Sequence, residues 1–480
     1  MSDFRKCKSS QISSFLFKYS EFDDTKQVFI NAFPWLFPGG IGDVWDPKRG
    51  RQNIRHWLQR LLSYKDGRFQ KDHIFALYAY NMVQRHENNS RGNYFINQPA
   101  LVGPAPPTVE ELKERIRGGD DKFISVLQYY SGSSIRGSDA YWRAKTNELK
   151  TWIDFMISCK HGPPNMFITL SCAENWWPDL MRILIDMERN AGNFEAARKI
   201  EMKDFTQISK SARNYPLVVN QFFMIRAEEF MKTVVKNTLG VDHYWGRVEF
   251  APGRGQIHLH ILAVTNKKGY LQDYHNACTI DEKTVILTSF AYNELGMTAD
   301  VELNDSTDYK IDCSPQSKSA LRLRFCEVIN PVEDASQIAQ DTMKHSCNAY
   351  CLDDNGGTSK GRKCRMRFGT ETEYGKQDTE GKELRAISTI IKDSKGISHL
   401  ELKRTKSRRL VQFSKPLLQG WRANCDIQLL IYNSDPLHPN LDKIEAVTRY
   451  VVAYTGKKHH TNKQEKEQIQ NIIKGYVHMT

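Results

Sequence analysis

The stretch "GRVEFAPGRGQIHLHILAV" (246–264) places two histidines one residue apart within a largely apolar run. Alternate side chains of a β-strand lie on the same face, so His258 and His260 share one face and the apolar residues between and beside them share the other. This alternation predicts a strand with one buried face and one face that carries two imidazoles. Such a pair suits a divalent metal ion, and the alternative is two rim histidines that only form hydrogen bonds.

A β-hairpin is predicted immediately before the histidines. Pro252–Gly255 separates two apolar runs, which is typical of a hairpin turn, and the preceding strand is expected at 244–250. Glu249 on that strand would bring a carboxylate close to both imidazoles. Two nitrogens and one oxygen with open coordination positions indicate Mg²⁺ or Mn²⁺ acting on a phosphate. The alternative for Glu249 is a strand-end carboxylate that faces water or pairs with Arg247.

Composition and charge define the class of protein. The chain has 480 residues, 40% of them hydrophobic, which is enough for several domains with real cores. Lys and Arg number 68 against 56 acidic residues, and this net charge of +12 fits a polyanionic partner. The ten cysteines are scattered, and neither a signal peptide nor a membrane span is recognisable. We therefore expect an intracellular, soluble protein with no membrane partner.

The spacing of apolar residues predicts an α+β fold. Helices are predicted at about 54–62, 71–86, 139–157, 176–187 and 217–237, and strands at 166–170, 244–250 and 257–264. Thr108 followed by Glu111 predicts a capped helix start after a Pro-rich linker. Together these elements indicate an antiparallel sheet with flanking helices, preceded by a mostly helical N-terminal domain.

A second cluster lies near the C-terminus, in "DKIEAVTRYVVAYTGKKHH" (442–460). Tyr450 and Tyr454 are four residues apart and would lie on one face of a helix. Two such phenols could act as nucleophiles beside a metal-bound phosphate, although aromatics at this spacing also suit a core. Lys457 and Lys458 could contact a phosphate or favour the helix C-terminus.

A third cluster combines cysteines with basic residues. His345, Cys347, Cys351 and Cys364 could supply four ligands to a structural Zn²⁺, and the alternative is reduced surface cysteines. The basic run "LKRTKSRRL" (402–410) suits phosphate contacts or a nuclear address, and the alternative is a solvated charged face.

These motifs, in this order, resemble the Rep nuclease region of Helitron rolling-circle transposases, which belong to the HUH endonuclease class. "MFITLSCAENWWPDL" resembles the first Rep motif, and "YWGRVEFAPGRGQIHLHIL" resembles the motif that contains the glutamate and the two histidines. "HSCNAYC" with "CRMRFG" resembles the cysteine-rich segment. "NCDIQLL" and "RYVVAYTGK" resemble the two-tyrosine motif. The resemblance extends over roughly residues 30–460.

The resemblance implies a role for each of these residues. His258 and His260 are expected to be metal ligands, with Glu249 as the third ligand. Tyr450 and Tyr454 are expected to be the nucleophiles that attack single-stranded DNA, leaving a 5′-phosphotyrosine and a free 3′-OH. The alternatives are a non-catalytic DNA-binding descendant, a phosphoesterase that uses water, and a rolling-circle replication initiator with the same chemistry.

The same resemblance suggests four segments. Residues 1–150 would form a helical DNA-binding or positioning domain, and 151–300 the nuclease core. Residues 301–410 would form the basic, cysteine-bearing segment, and 411–480 would contain the two-tyrosine helix. Helitron transposases continue into a helicase domain, so we expect a helicase to be supplied separately or by a further domain. A nuclear location is expected.

Overall fold

The computed structural model has an α+β fold with a six-stranded antiparallel sheet, which confirms the predicted fold class. The structure describes residues 27–46, 50–96, 139–250, 256–300, 319–345, 387–392, 398–404 and 410–431, and also 108, 110–111, 114, 117–118, 314 and 316. The chain divides into two compact units. One unit comprises residues 1–135, 185–197 and 213–217, and the other comprises 136–184, 198–212 and 218–480.

Ten strands are described. They are β1 Trp45–Asp46, β2 Gly50–Arg51, β3 Met166–Ser171, β4 Val241–Phe250, β5 Ile257–Thr265, β6 Met297–Thr298, β7 Thr389–Lys392, β8 Ser398–Glu401, β9 Phe413–Ser414 and β10 Cys425–Ile431. The large sheet has the order β4-β5-β3-β10-β8-β7, and each neighbouring pair is antiparallel. Strands β3 and β10 are therefore central, although more than 200 residues of sequence separate them.

The described helices carry numbers in chain order. They are α1 Val28–Ala32, α2 Ile54–Leu62, α3 Arg68–Lys71, α4 His73–Ile96, α5 Asp139–Ser158, α6 Pro178–Asn190, α7 Phe194–Glu201, α8 Phe205–Asn214, α9 Pro216–Phe230, α10 Lys236–Leu239, α11 Leu271–Asn276, α12 Ile280–Asn293, α13 Pro331–Thr342 and α14 Lys415–Trp421. A π-helical turn, Met231–Val235, joins α9 to α10. The helix predicted at 217–237 is therefore helical throughout, with one π-helical turn.

The first unit has an aromatic core. The rings of Phe29, Trp57 and Phe75 pack against one another with centroids 4.5–6.4 Å apart and are at most 1% exposed. The buried carboxylate of Asp43 accepts the backbone N–H groups of Phe29 and Ile30 at 2.9 Å, which anchors the start of α1. This region therefore has its own hydrophobic core.

The predicted helix starts depend on local side-chain caps. Thr108 and Glu111 bond to each other's backbone N–H, which confirms the predicted capping box. The helix predicted at 71–86 is α4, which begins at His73, after the short helix α3, and continues to Ile96. The reason is Asp72, whose carboxylate accepts the backbone N–H of Phe75 at 2.9 Å and so starts a new helix.

One face of the large sheet is almost entirely apolar. Along β5, Ile257, Leu259 and Ile261 are 2%, 7% and 0% exposed, whereas the two histidines between them are partly exposed. The equivalent residues of β3 and β10 are also buried. This alternation places the two histidines together on the opposite face, as predicted.

Three strands of the sheet, β7, β8 and β10, were not predicted. The first two are only four residues long, and they lie in a polar part of the sequence with weak alternation. In β10 the apolar alternation is clear, and the stretch "NCDIQLL" also forms part of the resemblance to the two-tyrosine motif. The turn predicted at Pro252–Gly255 lies outside the described residues. Among the helices that the structure describes, none combines the length and apolar character needed to cross a bilayer.

Candidate metal and phosphate site on the sheet

The register of the sheet brings Glu249 to the two histidines. Glu249 on β4 lies directly opposite His258 on β5, and its carboxylate Oε2 is 3.1 Å from Nε2 of His260. The side chains of His260 and Glu249 are 12% and 19% exposed, so this contact is largely shielded from water. The predicted proximity of the glutamate to the histidine pair is therefore present in the fold.

His258 is oriented by the backbone. Its Nδ1 lies 2.9 Å from the carbonyl oxygen of Gln256. A carbonyl only accepts hydrogen bonds, so Nδ1 must carry the proton of this contact. A hydrogen bond from Nδ1 to a carbonyl is the kind that orients a histidine whose Nε2 binds a metal ion.

His260 is oriented by side chains on both neighbouring strands. Its Nδ1 lies 3.0 Å from the hydroxyl oxygen of Thr169 on β3, while Nε2 faces Glu249 on β4. The ring of Phe167 stacks on the imidazole, with centroids 5.6 Å apart and planes 10° apart. These contacts hold the ring in one orientation against the sheet.

Hydrogen bonds also attach the start of β5 to the end of β3. The side-chain amide of Gln256 donates to the carbonyl oxygen of Cys172 at 2.6 Å, and the N–H of Cys172 donates to the carbonyl oxygen of Ile257 at 3.1 Å. The backbone that carries His258 is thereby held to the central strand β3.

Asp426 on β10 is a further acidic residue in the same row of the sheet. The register pairs His260 with Thr169 and Thr169 with Asp426, so these three residues lie side by side on adjacent strands. Gln428 donates to Oδ2 of Asp426 at 2.9 Å, but the buried Oδ1 has no hydrogen-bond partner within the described residues. Burial raises the pKa of Asp426 to about 6, and the hydrogen bonds and the charge of His260 oppose this rise.

The sequence prediction missed Asp426 and Thr169. The signal for Asp426 was present, because the polar residues Asp426 and Gln428 alternate with the apolar residues Cys425, Ile427 and Leu429. That pattern predicts a strand with one polar face. The pattern does not show which strand lies beside this one. The order of strands in the sheet makes β3 its neighbour.

Helix α5 packs against the apolar part of the sheet face that carries the two histidines. Leu149 and Ile153 pack with Phe167, Leu262 and Leu430, which forms an apolar cluster beside the histidines. The guanidinium of Arg247 lies 3.9 Å from the ring centroid of Trp142, and Trp245 donates to Glu148 at 3.3 Å. The polar residues thus occupy one end of a face that is otherwise packed against a helix.

Most of the other predicted site residues lie outside the described residues. These are Tyr450, Tyr454, Lys457, Lys458, Cys347, Cys351 and Cys364. His345 is described and partly buried, next to the bridge between Lys344 and Leu410. The predicted nucleophiles and the predicted zinc ligands therefore stay predictions.

The donor groups do not form a closed metal site. Within the part of the chain that the structure describes, no three His, Cys, Asp or Glu side chains are close enough together to hold a metal ion. The contact between His260 and Glu249 brings together two atoms that could bind a metal ion, and His258 lies on the same face of the sheet.

Part of the chain is similar to a known domain family. Residues 57–263, somewhat less than half of the chain, match the Helitron helicase-like domain at the N-terminus. The matched segment contains Glu249, His258 and His260 but not the two tyrosines. No curated protein and no solved structure matches the chain significantly. The family match is consistent with an interaction with DNA, and it supports a Helitron-related, transposase-like protein.

Proposed function

We propose that this chain is a Helitron-like transposase nuclease of the HUH class, which nicks and rejoins single-stranded DNA. The observation that carries the proposal is the 3.1 Å contact between Glu249 and His260 on the face that also carries His258. The match to a Helitron domain over residues 57–263 supports it independently.

The chemistry of the donor set fits a divalent ion. Imidazole nitrogens and a carboxylate suit Mn²⁺, and they also suit Mg²⁺ when water completes the coordination. Nε2 of His260 and Oε2 of Glu249 lie 3.1 Å apart, and both would bind such an ion. His258, which lies on the same face of β5, would supply the third ligand.

An ion held by His258, His260 and Glu249 would polarise a phosphodiester and stabilise the charge that develops during displacement. The protein residues around it have separate tasks. Gln256 and Thr169 orient the two rings, and Phe167 blocks rotation of His260. The apolar cluster under α5 keeps water away from one side of the site.

The nucleophile is a tyrosine. The phenolate oxygen of Tyr450 or Tyr454 forms a bond to phosphorus, and the bond from phosphorus to the 3′ oxygen breaks. The phenol proton is lost to solvent and the 3′ oxygen gains one, so the step transfers a phosphoryl group without ATP. Attack by another 3′-OH reverses the step, and two tyrosines allow two linked strand transfers.

The net charge of +12 favours binding to the DNA backbone. Residues 1–150 would position the strand, and Lys457 and Lys458 would contact phosphates. A helicase, supplied separately or by a further domain, would unwind the duplex. A structural Zn²⁺ on His345, Cys347, Cys351 and Cys364 and a nuclear location belong to the same proposal.

A gel assay for covalent protein–DNA adducts tests this function. Labelled single-stranded oligonucleotides from the termini of the element are incubated with the protein and with Mn²⁺, Mg²⁺ or EDTA. We expect a metal-dependent adduct that is abolished by His258→Ala and by the double variant Tyr450→Phe/Tyr454→Phe. Tyr244→Phe and His243→Ala, which change the same residue types on β4, should leave the adduct unchanged.

Each of the other outcomes would support a different function. Cleavage that survives loss of both tyrosines, with hydrolysed ends and no adduct, would mean that water is the nucleophile. Binding without cleavage or adduct would indicate a non-catalytic DNA-binding descendant. A replication initiator would form the same adduct, but on origin sequences instead of transposon ends.

A further inference from the structure

A basic segment lies in the first compact unit of the chain. Residues 48–71 contain eight Lys and Arg residues and a single acidic residue, Asp66. One residue in three of this segment is therefore basic, against about one in seven in the whole chain. The segment includes the helices α2 and α3 and the turn between them, so these charges lie on folded elements with fixed positions.

Helix α2 has one buried face and one exposed face. It packs into the aromatic core through Trp57, Leu58 and Leu61. The opposite face is polar, contains no acidic residue and comprises Arg55, His56, Gln59 and Arg60, all of them exposed. The exposed surface continues beyond the helix into Tyr64 and Lys65. Folding thus places the cations of α2 on the side that faces solvent.

The cations of this face differ in how far their charge is compensated. Arg55 donates to the Glu87 carboxylate at 2.8 Å, so this charge is paired. Arg60 instead donates to the amide oxygen of Gln52, which is neutral and leaves the charge of the guanidinium uncompensated. Lys65 is exposed on the turn that follows α2. Arg60 and Lys65 are therefore suited to an anionic partner.

An aromatic side chain lies between these two cations in the sequence. Tyr64 is 49% exposed, and the guanidinium of Arg68 lies 5.3 Å from the centroid of its ring. Its carbonyl oxygen accepts the N–H of Gly67 at 2.9 Å, which closes the turn. Gly67 has φ +66°, and a Cβ there would lie 2.7 Å from the Tyr215 ring, so the turn is held in place. Tyr64 is thus an ordered, half-exposed ring beside two cations.

We propose that the surface formed by Arg60, Tyr64 and Lys65 binds single-stranded DNA, with the two cations on phosphates and the ring against a base. Cations beside an exposed aromatic ring are the combination that binds single strands without sequence preference. A duplex offers the same phosphates, but its stacked bases cannot contact the ring. The inference rests on the proposed role of residues 1–150 in positioning the strand, and the surface belongs to a different compact unit from the two histidines.

Fluorescence anisotropy of the full chain with labelled oligothymidylate tests the two cations. EDTA is present throughout, so cleavage does not contribute. Each phosphate contact with a single strand releases about 0.7 counterion, so Arg60→Gln/Lys65→Gln should lower the slope of log affinity against log salt by about 1.4. At about 0.1 M salt we expect binding at least about 10-fold weaker. Arg60→Lys/Lys65→Arg keeps both charges and should bind within about threefold of the wild type.

A matched control removes the same two residue types elsewhere. Arg182 on α6 and Lys210 on α8 are also exposed and lie in the second compact unit. Arg182→Gln/Lys210→Gln changes the net charge equally and should bind oligothymidylate as the wild type does. All four side chains are exposed, so we expect the variants to fold, and thermal unfolding checks this.

A separate variant tests the ring. Tyr64→Leu removes the aromatic surface and leaves the charge unchanged. Since contact between a base and an aromatic ring contributes substantially to the binding of single strands, we expect Tyr64→Leu to weaken binding of oligothymidylate by at least about fivefold. Binding of duplex DNA should stay within about twofold of the wild type.

Several outcomes would overturn the inference. They are unchanged binding by Arg60→Gln/Lys65→Gln, an equal loss in the control pair, a loss confined to one oligonucleotide sequence, and an equal loss for single-stranded and duplex DNA in Tyr64→Leu. The proposed nuclease fails separately, because it requires an adduct with Mn²⁺ or Mg²⁺. Binding with the expected losses but without an adduct would support this surface and contradict only the nuclease.

Discussion

Asp426 lies on the polar face of the sheet at a cost to stability. Its pKa is raised to about 6, mainly because burial disfavours the charged carboxylate. Below about pH 4 the side chain is protonated in both the folded and the unfolded chain. Between about pH 4 and pH 6 the unfolded chain releases this proton while the folded protein retains it, so stability falls as pH rises.

Replacing this carboxyl group should therefore stabilise the protein, but only above that pH range. Asp426→Asn keeps an oxygen that accepts from Gln428 and removes the charge. We expect its free energy of unfolding to exceed that of the wild type at pH 8 by roughly 2 kcal/mol, with little difference at pH 4. Urea unfolding of both proteins at the two pH values checks this. An equal gain at both pH values would show that the charge of Asp426 is not the cause.

At the scale of elements, the strand that carries Glu249 begins at a glycine. Gly240 ends helix α10 with φ +64° immediately before β4, in the left-handed region that glycine adopts readily. A Cβ there would collide with Oδ1 of Asn266, which follows the last residue of β5. The end of α10 and the start of β4 thus require a residue without a side chain at this position.

Gly240→Ala should destabilise the protein by at least about 1–2 kcal/mol, because the alanine must adopt the left-handed conformation and also displace Asn266. Gly269→Ala is the control, since a Cβ at that position meets no atom within 4 Å and its φ is not in the left-handed region. Thermal unfolding of both variants measures the difference. A similar melting temperature for Gly240→Ala and the wild type would contradict this explanation of the glycine.

At the scale of the whole molecule, a buried ion pair joins α13 to the segment that leads into β10. Arg422 donates to both carboxylate oxygens of Asp334 at 2.9 and 3.0 Å and also to the carbonyl oxygen of Ala320, and both side chains are at most 4% exposed. Arg422 ends α14 with φ +57°. Residues 320 and 334 are thereby attached to the central strand of the sheet.

Arg422→Met should destabilise the fold by about 3–5 kcal/mol, because it leaves the Asp334 carboxylate buried without its cation. Lys232→Met is the control, since Lys232 and Glu228 form a solvent-exposed pair at 2.8 Å whose loss should change the free energy of unfolding far less. Urea unfolding compares the two. A loss in Arg422→Met no larger than that in Lys232→Met would mean that the buried pair is energetically unimportant.

Features that depend on neighbouring residues were predictable from the sequence. The alternation of β5 placed His258 and His260 on one face, and Thr108 with Glu111 marked a helix start, because side-chain direction and capping are local properties. The positions of β10 beside β3, and of Thr169 and Asp426 in the row of His260, are visible only in the folded sheet. Alternation fixes the face of each residue within a strand but not which distant strand is its neighbour, since pairing and register arise from packing across the whole sheet.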